Sequence, residues 1–150
     1  MKRNKLLAMA LSGLVTGGLA MSAAAQDDME EAAPAEGVTL ELNKLEQVDQ
    51  TCRAYMLFKN DSGSDFDQFR LDLVLFDAEG VISRRIAIEA APLETGRSTV
   101  KFFDFSEQQC ADIDRMLVNG VSPCADASGE REDCADILEL ANRTEVEFYQ

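Results

Sequence analysis

Cys52, Cys110, Cys124 and Cys134 are the side chains of this 150-residue chain best suited to covalent chemistry, and what they can do depends on what accompanies them. They are separated by 58, 14 and 10 positions, with no C-x-x-C knuckle and no His anywhere, which leaves a zinc site short of its usual ligands. A redox-active dithiol lacks its motif for the same reason. Two structural disulfides remain, and they imply an oxidising compartment. The absence of His also removes Ser-His, Cys-His and His-metal mechanisms, together with the commonest general base near neutral pH.

Carboxylates are the other chemical resource, with 28 Asp and Glu against 14 Lys and Arg. Asp61, Asp65, Asp67, Glu94, Asp126, Glu130, Glu132 and Asp133 fall in three loops where Arg97 and Arg131 are the nearby bases. As hard oxygen donors they suit calcium, and as an acidic pole they suit a basic protein surface. The spacing Asp61-x-Gly63-x-Asp65-x-Asp67 departs from the EF-hand order, so a protein partner is the stronger expectation and calcium the alternative. Glycoside hydrolysis would need a cleft and sugar platforms, but Trp is absent and Tyr55 and Tyr149 are the only tyrosines. Seryl catalysis, through a G-x-S-x-G elbow or an S-x-x-K pair, is not expected either. The reading assigns no catalytic residue, no metal and no cofactor.

These groups must be positioned by strands. From Val38 onward apolar and polar residues alternate with period two and turn residues interrupt the runs. The pattern predicts strands over 38–45, 51–59, 68–76, 81–89, 98–104, 115–122 and 144–149. Seven short strands are the arithmetic of an immunoglobulin-like antiparallel sandwich. The clearest hairpin joins Phe69, Leu71, Leu73 and Leu75 to Val81-Ile82 through Asp77-Ala78-Glu79-Gly80. Two helical turns are expected, one at Ser106-Glu107-Gln108-Gln109 from its capping-box spacing and one over Cys134 to Leu140, where a strand extension competes. The phenylalanines are expected in the core or in turns. Phe103 and Phe105, on the face opposite Val100 and Phe102, are expected to be buried by the Cys110 turn. Arg84-Arg85 is read as guarding an exposed sheet edge.

In such a sandwich alternate connections lie at opposite ends, which selects among the disulfide pairings. Cys52 and Cys110 belong to one end; Cys124 and Cys134 belong to the other, as do the three acidic loops. A strand separates the ends by about 20 Å, whereas a disulfide needs Cα atoms within about 7 Å. Cys52–Cys110 with Cys124–Cys134 is therefore predicted.

The N-terminus supplies the compartment. Lys2, Arg3 and Lys5 precede an uncharged stretch from Leu6 to Met21, and Ser22-Ala23-Ala24-Ala25 offers a cleavage position. The stretch is shorter than the roughly 20 apolar residues that span a bilayer. Residues 1–25 are read as a signal peptide, residues 26–37 as an acidic disordered spacer and residues 38–150 as the domain. The mature chain then carries 11 bases against 28 acids, a net of −17. That charge disfavours nucleic acid and anionic membrane surfaces, and cleavage leaves no stable membrane insertion. The expected location is the periplasm.

Leu73-Val74-Leu75-Phe76-Asp77 followed by Glu79-Gly80, with the Asn60-Asp61-Ser62-Gly63 loop and the Leu93-Glu94-Thr95-Gly96 turn, resembles the core of bacterial FxLYD domains. Those are small exported Ig-like sandwiches, and the resemblance implies a non-catalytic cell-envelope module. The chain is also similar to short exported alphaproteobacterial proteins. A non-catalytic periplasmic accessory or protein-binding module is the expected function. A calcium- or ligand-binding domain and an inhibitor of a secreted enzyme are the alternatives.

Overall fold

Alternation at period two puts every second side chain of a strand on one face, and the computed structural model, which describes residues 36–150, turns each predicted run into such a strand. The elements are β1 (Val38–Val48), β2 (Thr51–Asn60), β3 (Phe66–Phe76), β4 (Ile82–Glu89), β5 (Arg97–Ser106), β6 (Arg115–Asp126), β7 (Gly129–Glu130), β8 (Leu138–Asn142) and β9 (Glu147–Tyr149). They form a sandwich of two sheets, the first in the order β5-β2-β1-β8 and the second β4-β3-β6-β7, with β9 also on β6. The expected signal peptide and most of the expected spacer lie outside the described residues. Gly37 belongs to the domain: its carbonyl accepts the Asp61 N–H at 2.8 Å, and a Cβ there would sit 2.4 Å from the Ile137 carbonyl oxygen.

The core lies between the sheets. Leu40, Leu42, Met56 and Phe58 of the first sheet join Phe69, Leu71, Leu73 and Met116 of the second in one buried cluster. The β3–β4 hairpin forms where the sequence placed it, with Leu73 opposite Ile86 and Phe76 opposite Ile82. The Asp77 carboxylate accepts the N–H groups of Glu79 and Val81 at 3.1 and 2.8 Å. Gly80 suits this turn because its φ is +78°, a conformation that other residues rarely adopt.

Both predicted disulfides are present: Cys52–Cys110 with Cα atoms 4.9 Å apart and Cys124–Cys134 with Cα atoms 6.4 Å apart. Their separations of 58 and 10 residues correspond to about 4 and about 3 kcal/mol of unfolded-chain entropy removed. The first ties β2 to the turn before β6, and the second ties the end of β6 to the segment before β8.

Three local expectations are corrected. The sandwich is not wholly antiparallel, because β8 runs parallel to β1 and β9 parallel to β6. The stretch from Cys134 to Leu140 is not a helix. The Asp133 carbonyl accepts the N–H groups of Asp136 and Ile137 at 3.0 and 3.2 Å, closing one turn, and the chain then extends because Leu138 and Leu140 pair with Val38 and Leu40. No capping box forms at Ser106 either. A 3₁₀ turn spans Cys110–Asp112, and the Cys110 N–H is taken by the Gln47 side-chain oxygen at 2.7 Å across the disulfide-linked end.

Candidate functional site

The acidic loops do share one end of the sandwich. Phe66 bridges Leu93 and sits opposite Asp126, the Asn60 amide donates to the Leu93 carbonyl at 2.8 Å, and the Thr95 N–H donates to Asp65 at 2.7 Å. Proximity of the loops does not leave their charges free. Lys59 pairs Asp61 at 2.7 Å, Arg97 pairs Glu94 at 2.6 Å, and Arg131 bridges Asp126 and Asp133 at 3.2 and 2.6 Å. The Ser128 N–H is the main influence holding the Asp126 carboxyl below its ordinary range, with Arg131 adding to it, while Arg131 does the same for Asp133. Asp67, Glu130 and Glu132 point to solvent. Among the described residues no group of three carboxylates or thiolates is placed to hold a metal ion.

A larger concavity sits at the opposite end, in the connections around the Cys52–Cys110 bridge. This groove of about 520 Å³ is lined by Asp77, Glu79, Glu107, Gln108, Asp112 and Asp114, among others, and by no base. Sequence reading missed it because its acids come from two connections far apart in the chain, Asp77 and Glu79 after β3 and Glu107, Asp112 and Asp114 after β5. The chain also contains an S-x-x-K spacing after all, at Ser98 and Lys101. On a strand an offset of three sends the two side chains to opposite faces. Ser98 is exposed, whereas Lys101 turns inward and donates to the carbonyls of Ala90 and Ala91, the latter at 2.9 Å. The pair is therefore no nucleophile and base.

Lys101 is one of two straps across the open side of the sandwich. It reaches from β5 to the chain leaving β4, and burial pushes its ammonium below the ordinary lysine range, with Glu89 opposing. Arg84 reaches the other way, from β4 to the Ser106 carbonyl at the end of β5. Its neighbour Arg85 grips Asp72 on β3 through two nitrogens at 2.8 and 2.7 Å. Arg84-Arg85 thus lies on an end strand as expected, but both side chains are engaged within the chain.

The feature that sequence reading placed wrongly is Phe102. Phe105 is buried in the core cluster as expected and Phe103 is half-buried against it, but Phe102 is 57% exposed and Val100 is 65% exposed. Both project from the outward face of β5, where Val100 stands opposite Leu57 and Phe102 opposite Tyr55 of β2. The result is an apolar stripe on a sheet face. The Arg53 guanidinium lies over the Phe102 ring at 4.6 Å and grips Asp104 at 2.7 and 2.8 Å, holding that carboxyl below its ordinary range. Tyr55 donates to Glu46 at 2.7 Å, and Lys44, paired with Glu46 at 2.9 Å, lies over the tyrosine ring. Alternation alone could have shown that Val100 and Phe102 share a face. It could not show that no element covers that face.

No family model matches the chain, and no curated protein matches it. Among solved structures it is similar to IrmA from Escherichia coli, at 10% identity and a TM-score of 0.51, over 69% of this chain and 90% of that one. At that identity the likeness concerns the fold alone.

Proposed function

We propose that this protein is a non-catalytic binding module of the bacterial periplasm, which meets protein through the outward face and free edge of the first sheet. The observation that carries the reading is the exposure of Val100 and Phe102 side by side on β5, the end strand of that sheet. Large apolar groups clustered on an otherwise acidic surface are the usual mark of a contact site. Two disulfides fit the oxidising compartment that the N-terminal sequence implies. The FxLYD-type assignment belongs to the same reading, resting on Leu73 to Asp77, which close β3 and open its turn. The acidic pole is the weaker dock, because internal partners already hold Asp61, Asp65, Glu94, Asp126 and Asp133.

The test is photocrosslinking in intact cells with a photoreactive residue at Val100 or, on the outward face of the second sheet, at Arg70. Adducts from position 100 that disappear with Phe102→Arg, and none from position 70, are the expected result. Equal adducts from both positions would refute the assignment of the surface.

A further inference from the structure

We infer that the partner at this surface is a second copy of the same chain, joined edge to edge through antiparallel β5 strands about a two-fold axis at Phe102. The inference rests on the reading of the first sheet as the binding surface. β5 is ten residues long and is paired on one side by β2, from Arg97 opposite Asn60 to Ser106 opposite Thr51. Among the described residues no strand pairs its other side. Apart from the Ser106 carbonyl, which Arg84 engages, such an edge presents unpaired backbone donors and acceptors that a further strand can satisfy.

Charge narrows where a second copy can approach, and the exposed ring on β5 selects among the surfaces that remain. A mature chain of net charge −17 repels its own kind over most of its surface. The outward faces of both sheets are balanced: Lys44, Arg53 and Lys59 meet Glu41, Glu46 and Asp104 on the first, and Arg70, Arg85 and Arg115 meet Asp72, Glu89 and Glu147 on the second. Of the two, the first carries the exposed aromatic ring, Phe102. The ordinary guard against edge pairing is an inward-pointing charge. Lys101 is such a residue, yet its ammonium is already bound to the carbonyls of Ala90 and Ala91, inside its own chain.

Register follows from the same residues. Antiparallel partners that share a face must have positions summing to an even number. An axis at Lys101 would set two ammonium-bearing residues directly opposite each other, which is unfavourable. An axis at Phe102 sets Phe102 on its own copy, Lys101 opposite Phe103 and Val100 opposite Asp104. Apolar rings then meet at the centre, and no like charges face each other. The first sheets of the two copies become one continuous sheet.

Sedimentation of the purified exported protein over a concentration series, with hydrogen exchange at low and high concentration, tests this. The expected result is a reversible dimer that added salt strengthens by screening the net charge. The β5 amides should exchange more slowly at high concentration while those of β4 do not change. Val100→Asp sets a carboxylate against Asp104 of the second copy and should weaken dimerisation by about tenfold, whereas Val100→Lys should restore or strengthen it. Both substitutions are at an exposed position, and a non-reducing peptide map with an unchanged melt confirms the fold. Equal weakening by both variants, or a dimer with unprotected β5, overturns the inference. A monomer at every concentration also overturns it; crosslinks from Val100 to a different protein would then leave the proposed surface standing.

Discussion

The two sheets of this sandwich are built by the same alternation, but their outward faces are finished differently. On the second sheet Asp72 is held by Arg85 and by the Asn119 amide at 2.6 Å, and the neighbouring outward residue Val74 is 7% exposed. On the first sheet the corresponding clasp, Arg53 with Asp104, stands at the edge and leaves Phe102 and Val100 open. The strand frames are alike, with β8 parallel beside β1 and β9 parallel beside β6, and with β5 and β4 as end strands, so the difference lies in the side chains. Similar strand frames thus yield one face whose centre is closed by polar groups, with Val81 and Ile82 exposed at its rim, and one face that leaves an aromatic ring open beside its polar clasp.

The comparison breaks most readily within β5, where two phenylalanines three positions apart have opposite fates. Phe105 is 2% exposed in the core cluster, so Phe105→Ala is expected to cost about 3–5 kcal/mol in denaturant unfolding. Phe102→Ala should shift stability by less than about 1 kcal/mol while reducing self-association. If the two substitutions destabilise the monomer alike, Phe102 is a structural residue and the open face loses its meaning.

A smaller effect separates the two clasps. Asp72→Ala removes the acceptor shared by Arg85 and Asn119 and should cost about 1 kcal/mol, discounted for partial exposure. Asp104→Ala, at a carboxylate that is more exposed than Asp72 and has one partner, should leave the unfolding midpoint nearly unchanged. Equal losses would show that both faces are held together in the same way.

What the sequence made legible follows from what is local in it. Period-two runs set the strands, and the alternation of ends set Cys52–Cys110 and Cys124–Cys134, because strand length and disulfide reach are fixed quantities. The same argument brought Asp65, Glu94 and Asp126 to one end. It could not reveal that Arg131 would bridge Asp126 and Asp133, since that depends on side-chain geometry within a disulfide-closed loop. Nor could it place β8. Ile137-Leu138-Glu139-Leu140 suits a turn or a strand, and pairing with Val38 and Leu40 decides between them. Phe102 was misread for a related reason: a strand pattern identifies two faces and is silent on which of them a neighbouring element covers.

The finest test of the two faces is their titration. Arg53 holds Asp104 below the ordinary carboxylate range, and Arg85 followed by Asn119 holds Asp72 there. A carboxyl whose folded pKa is depressed contributes stability that is present above its unfolded value of about 4 and is lost as pH falls through the lowered folded pKa. Arg53→Ala removes the dominant favourable partner of Asp104, so that carboxyl should return to the ordinary range in a carbon-13 NMR titration. Arg85→Ala leaves the Asn119 amide in place, so Asp72 should stay below it. The closed face would thereby keep its charge to lower pH than the open one after the same deletion. An Asp72 that rises as far as Asp104 would show that Asn119 supplies no second hold. The contrast between a doubly held face and a singly held one would then fail at its most local point.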